Sequence, residues 1–193
     1  MSAGGEALRP AVQGLVIPVD PATPRVLLPL AHALQWLNRV VMGLGMVALL
    51  AASVVLTWSV VSRYFLKAST DWQDEAAVFC LVGMTFMCGA FVQTMRGHIG
   101  IEAVSSKLSA TANRLRMVVI DLISLAFCAF FAWKSWTLLH EAWADGMTSS
   151  SSWAPPLWIP YGLMSLGMSL LSLQLLVQVA ASINRLRGAA EVR

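Results

Sequence analysis

VVMGLGMVALLAASVVLTWSVVS, residues 40–62, is followed at once by RYFLKASTDWQDE, residues 63–75. The first segment is 23 residues without a charge, and roughly 20 apolar residues carry a helix across the hydrocarbon core of a bilayer. The second is a short polar connector. The next 20 residues, Ala76 to Met95, are again uncharged, so the chain turns and crosses back. Two more apolar stretches follow. Met117 to Leu139 carries only Asp121 and Lys134, and the fourth stretch lies in the 39-residue uncharged run Gly146 to Asn184. Its helix should begin near Pro156 to Pro160, because proline is tolerated in a first helical turn but not deep inside. The expected fold is all-α and integral to the membrane, with spans at about 40–62, 76–95, 117–139 and 157–182.

The basic residues orient these spans. Arg9, Arg25 and Arg39 precede the first; Arg96, Lys107, Arg114 and Arg116 lie between the second and third; Arg185, Arg187 and Arg193 follow the fourth. Arg63 and Lys67 stand on the opposite side, and Lys134 near the outer end of the third span. Cytoplasmic loops hold excess Lys and Arg, which places both termini inside. At 58% apolar and 12% charged residues, the chain has about half the charge of a water-soluble domain. The net charge of +3 follows from the inward bias of the basic residues and gives no sign of nucleic-acid binding.

Residues 1–29 hold five of the eight prolines and no apolar periodicity, and are expected to form a flexible cytoplasmic tail. They lack the apolar region of a signal peptide. Residues 30–184 form the membrane domain and 185–193 a second tail. Leu30, Leu34 and Leu37 share one helical face, a candidate interfacial lead into the first span. Between Gly97 and Asn113, the spacing of Ile101, Val104, Leu108 and Leu115 suits an amphipathic helix on the membrane surface, and an ordinary solvated loop fits equally well. Seven tryptophans (58, 72, 133, 136, 143, 153 and 158) map to the outer half and only Trp36 to the inner. An aromatic belt explains rings at headgroup level but should appear on both faces. The outer excess makes Trp72, Trp143, Trp153 and Trp158 candidates for docking a protein partner.

Chemistry is sparse. Charges at membrane depth are the usual functional flags. Asp121 and Lys134 are about 19 Å apart along one helix and cannot pair. Lys134 can snorkel outward and Asp121 can meet Arg114 or Arg116. No set of acidic or amide groups is expected to converge at mid-depth. His98 and His140 sit at opposite ends of their spans, which excludes their ligating one haem; His32 with His98 is left for a haem-bearing anchor of a respiratory enzyme. A small self-sufficient exporter would need an essential acid at mid-membrane. Cys80, Cys88 and Cys128 read as apolar packing residues. No phosphate loop, nucleophile with base, or metal-spaced cluster is present, so no catalytic, substrate, cofactor or metal residues are expected. In the connector, Arg63 facing Asp74 or Glu75 would clip two helices together, with the carboxylates also favouring the N-terminus of the second.

These residues resemble the small membrane subunit of TRAP (tripartite ATP-independent periplasmic) transporters. Arg63 and Tyr64 leaving the first helix, then Trp72, Asp74 and Glu75 entering the second, match that family's spacing. So do Thr85 and Phe86, the run Arg96, Gly97, His98, Ile99 and Glu102, and Pro156, Trp158, Pro160, Tyr161 and Gly167 at the last helix. Lys67 and Ala68, Gly83 and Ser165 depart from residues common in the family. The resemblance covers about residues 38–185. It implies a scaffold in the bacterial inner membrane, packed on a large subunit that binds substrate and sodium. A periplasmic binding protein would deliver an organic acid such as a dicarboxylate. Ala48 with Ala52, and Ser165 with Ser169, offer small-residue faces for close helix approach.

Overall fold

A computed structural model describes residues 19–67, 70–95 and 110–191. It is all-helical, with α1 Leu28–Val61, α2 Asp71–Thr94, α3 Ala110–Ala144 and α4 Trp158–Glu191. All four helices are long and apolar enough to cross a membrane. Three overrun the hydrocarbon core: α1 has 34 residues, about 51 Å at 1.5 Å per residue against a core of roughly 30 Å. In α3 the excess lies at both ends, and in α1 and α4 it lies at the end of the molecule that carries the described chain termini. There the Leu30–Leu37 lead is continuous with α1 rather than a separate interfacial helix. The second proposed interfacial helix falls mostly on residues 96–109, outside the described residues.

The buried positions of α1 are Ala31, Leu34, Asn38, Val41, Gly45, Ala52 and Ser59, with Ser62 following in the π-helical turn Ser62–Leu66 that ends it. Steps of three, four or seven residues between them define a heptad seam, which keeps one face of a helix against a neighbour along its whole length. Most of these side chains are small, so α1 lies close on α2. Gly45 shows how close: a Cβ there would stand 2.7 Å from Cys88 Sγ.

The helices pack as a row rather than a closed square. α1 packs on α2, α2 on α4, and α4 on α3, while α1 meets α4 over only a short stretch. That stretch is the terminal end, where Ala31, Leu34 and Val177 form a core cluster joined by Val19, Leu30 and Leu170. Burial follows from the order. In α4, which has a helix on each side, 44% of the apolar span is buried; in α3 at the edge, 11%, and in the span containing α1, 17%. The edge helices turn Leu50, Val54, Trp58, Ile123, Phe127 and Trp133 outward, each more than half exposed.

Of the two expected tails, residues 1–18 and 192–193 lie outside the described residues. Residues 19–27 are tied to the helices instead of trailing free. Asp20 Oδ2 accepts from Arg185 Nη2, Ala22 O accepts from Asn184 Nδ2 at 3.0 Å, and Thr23 is buried. Residues 185–191 continue α4 as helix. Polar contacts hold residues 19–27 against α4 despite Pro21 and Pro24.

Candidate functional site

At the loop end of the row, the π-helical turn Ser62–Leu66 stops at Lys67, which adopts a left-handed conformation (φ 50°). Arg63, within that turn, reaches toward α2. Arg63 Nη2 donates to Asp74 Oδ2 at 2.6 Å and to Thr70 Oγ1 at 2.6 Å, and Nε donates to Thr70 Oγ1 at 3.2 Å. Ser59 Oγ donates to Asp74 Oδ1 at 2.9 Å. Asp74 therefore receives one donor from α1 and one from the turn after it. Thr70 precedes the first residue of α2, yet its hydroxyl serves the guanidinium and does not cap the helix. Asp71 and Asp74 lie in the first turn of α2, where the positive end of the helix dipole favours carboxylates.

Glu75 takes a different partner, Ser149 Oγ, in the connector between α3 and α4. That connector folds on itself through Ser149 N to Pro155 O and Leu157 N to Met147 O, both 2.9 Å, with Gly146 and Ala154 at positive φ (60° and 46°). Neighbouring acids of α2 thus hold two different loops to one end of the protein. The candidate docking tryptophans all stand at this end. Trp143 and Trp158 meet edge to face with ring centroids 5.1 Å apart; Trp72 and Trp153 are about half exposed. Pro160 lies in the first turn of α4, and the amide of Tyr161 reaches back to Leu157 O at 3.3 Å. Tyr64 is exposed beside Phe65. Arg96, His98 and Glu102 lie outside the described residues.

The polar groups of the membrane helices converge more than the sequence suggests. Gln93 Nε2 donates to Gln178 Oε1 at 2.9 Å, and Gln178 Nε2 donates to Gln93 O at 3.0 Å, joining α2 to α4. Asn38 Nδ2 reaches Gln174 Oε1 at 3.4 Å. Asp121 is buried and accepts from Ser182 Oγ at 2.8 Å, a bond between α3 and α4, which also share Trp136 Nε1 to Ser169 Oγ at 3.0 Å. Lys134 is exposed, with its ammonium 5.0 Å from the Trp133 ring centre. The amides gather toward the terminal end, not at mid-depth. The sequence signal was available: Gln174 and Gln178 are one turn apart on α4, and a side-chain amide in an apolar run must find a partner.

Among the described residues, no three His, Cys, Asp or Glu side chains stand close enough to hold a metal ion. His32 Nδ1 lies 2.8 Å from Leu28 O at the terminal end, and His140 is exposed near the loop end. Four apolar crossings, polar clasps that join helix to helix, and extensive uncovered apolar flanks define a multi-pass membrane protein built around helix packing.

The comparisons name the class more closely. The family model described as "Tripartite ATP-independent periplasmic transporters, DctQ component" matches residues 52–185, and the chain belongs to that family. It is similar to the C4-dicarboxylate TRAP transporter small permease protein DctQ of Vibrio cholerae, with 26% identity over 149 residues, 66% of this chain and 64% of that protein. It is also similar to the isethionate TRAP transporter permease protein DctMQ of Oleidesulfovibrio alaskensis, with 24% identity over 149 residues, 74% of this chain and 23% of that protein. The aligned region thus spans less than two thirds of either relative's length. No solved structure matches the chain. Membership of a transporter family displaces the haem-anchor and lone-exporter readings.

Proposed function

We propose that this chain is the small permease subunit of a TRAP transporter and acts as a scaffold without catalytic or substrate-binding chemistry of its own. The observation that carries the reading is the row packing. A helix row whose edge spans are 11% and 17% buried has lateral apolar surface to spare, and a larger membrane subunit would cover part of it. The name DctMQ belongs to a single longer relative in which the matched region is 23% of the length, which supports a large subunit as neighbour. That subunit would bind and move the substrate with sodium. The substrate would be an organic acid, delivered by a periplasmic binding protein to the loop end with its Trp72, Trp143, Trp153 and Trp158. Lipid would cover the remaining flank.

In this reading the protein resides in the bacterial inner membrane with the loop end in the periplasm and both termini in the cytoplasm, as the distribution of Lys and Arg favours. Co-expression of the tagged chain with its cognate large subunit tests the scaffold role. The two should co-purify in mild detergent at a fixed ratio. A large subunit that never accompanies the tagged chain, while remaining folded and active alone, would refute it.

A further inference from the structure

Residues 20–23 form a closed turn of their own. Ala22 N donates to Asp20 Oδ1 at 3.0 Å, and Thr23 N donates to Asp20 O at 2.9 Å. The turn joins α1 through Pro24, which has no N–H to donate. Pro24 leads, with ψ 139°, into the 3-10 turn Arg25–Leu27, whose start no side chain caps. The bonds that close the turn are thus separate from those of α1. Rotation at the Thr23–Pro24 junction would break neither set.

Beside the turn lies a cavity of about 300 Å³, with residues 19–23 as one wall and α1, α2 and α4 as the others. Gln35, Arg39 and Gln174 line it, and none of the three is fully buried. A cavity with polar lining accepts water, whereas a wholly apolar one stays dry. Opening this wall to solvent therefore carries less penalty than opening an apolar core.

What holds the wall in place is divided. Val19 packs on the Ala31, Leu34 and Val177 cluster, and Thr23 is 5% exposed, so the closed position is a definite one. The polar contacts with α4 face solvent instead. Arg185, its side chain 48% exposed, pairs with Asp20, and the exposed Asn184 donates to Ala22 O. Water competes for such contacts, and an exposed ion pair stabilises only weakly. Segments with few buried apolar contacts belong to the low-stability end of a fold.

We propose that residues 19–23 are a latch. The turn pivots at Pro24, leaves Arg185 and Asn184, and opens the cavity at the terminal end while the four-helix row stays packed. Because α1 and α4 meet over only a short stretch at this end, the closed latch also ties the outer helix α1 to α4. The latch follows from the described fold alone and does not depend on the transporter reading.

The test uses the full chain in detergent, with Cys80 and Cys128 replaced by serine and Thr23→Cys added. Native Cys88, 6% exposed where α1 packs on α2, reports opening of the bundle in the same molecule. Both thiols are timed with N-ethylmaleimide, and each rate is divided by that of the same thiol in the denatured chain. Position 23 should label at least about tenfold faster than Cys88, because local opening is easier than global opening. Arg185→Gln should speed position 23 by about two- to fivefold and leave Cys88 unchanged. Arg187→Gln, exposed on α4, should change neither. Added salt should speed position 23, and less so in Arg185→Gln, since screening weakens exposed pairs. Equal normalised rates for the two thiols would overturn the latch, because the turn would then open only with the bundle. So would an Arg185→Gln chain that labels as wild type at position 23, or one that accelerates Cys88 in parallel. The two-thiol comparison and the salt series decide the matter if Arg185→Gln fails to fold: labelling indifferent to salt overturns the latch as well.

Discussion

Gly167→Ala should be the most damaging single-methyl change in the protein. Gly167 lies on α4 where it crosses α2, and a Cβ built there falls 2.4 Å from both the carbonyl carbon and oxygen of Phe86 and 2.8 Å from Met87 N. Non-bonded carbon contacts settle near 3.5–4.0 Å, so the overlap exceeds 1 Å by rough subtraction. All three atoms are backbone and cannot rotate away. The two central helices must then separate, loosening the Gln93–Gln178 clasp farther along the same seam. Overpacking in a tight interior costs about 1–3 kcal/mol and occasionally more; a backbone clash belongs at the upper end. At roughly 2–4 °C per kcal/mol for a chain of this size, a loss of about 3 kcal/mol lowers Tm by about 6–12 °C. The assay is thiol labelling of buried Cys88 during thermal unfolding in detergent, with Cys80 and Cys128 replaced by serine. Gly43→Ala is the matched control, because nothing lies within 4 Å of its Cβ position and alanine favours helix by up to about 1 kcal/mol. If Gly167→Ala melts with wild type, or no lower than Gly43→Ala, the close approach of α2 and α4 is refuted.

Other perturbations separate strong contacts from weak ones. Arg63→Met and Asp74→Asn should each cost no more than about 1 kcal/mol, since the paired side chains are 63% and 45% exposed and exposed pairs are weak. The double variant should be less destabilised than the sum of the singles, and strict additivity in a double-mutant cycle would show that the clip is not coupled. Gln178→Leu removes both inter-helix bonds to Gln93; at about 0.6 kcal/mol each on average in membrane proteins, the loss should be about 1–2 kcal/mol, measured by the same labelling. Ser182→Ala takes a donor from the buried Asp121 carboxyl and should cost about 1–3 kcal/mol. Asp121→Asn, which keeps an acceptor for Ser182, should cost less, and the reverse order would mean that the Ser182 bond is not what holds Asp121.

The crossings were legible because a 23-residue uncharged run has few alternatives to a spanning helix. The partner of Arg63 was nearly legible for a related reason. Only a short connector separates it from the acids of α2, and two candidates, Asp74 and Glu75, stood within reach; geometry chose Asp74 and sent Glu75 to Ser149. The order of the row was not legible. In a helix apolar on every side, periodicity cannot mark the face that meets protein, so nothing in α2 announces α4 as its neighbour. Gly167 could be read as part of a recurring pattern, but its reason, a backbone contact with Phe86, exists only once the helices are placed. The pairing of Asn38, Gln93, Gln174 and Gln178 is partly legible, because a neutral amide in hydrocarbon, like a charge, requires a partner. Helix overrun is not legible, because charged and polar residues end an apolar run without ending the helix.

Reconstituted uptake tests the scaffold claim most directly. The chain alone, the cognate large subunit alone, and the two together would be placed in liposomes under an inward sodium gradient, with the cognate binding protein supplying its organic acid. Uptake should occur only when both membrane subunits are present, and this chain alone should give none above empty liposomes. Sodium-dependent accumulation by this chain alone would contradict the account.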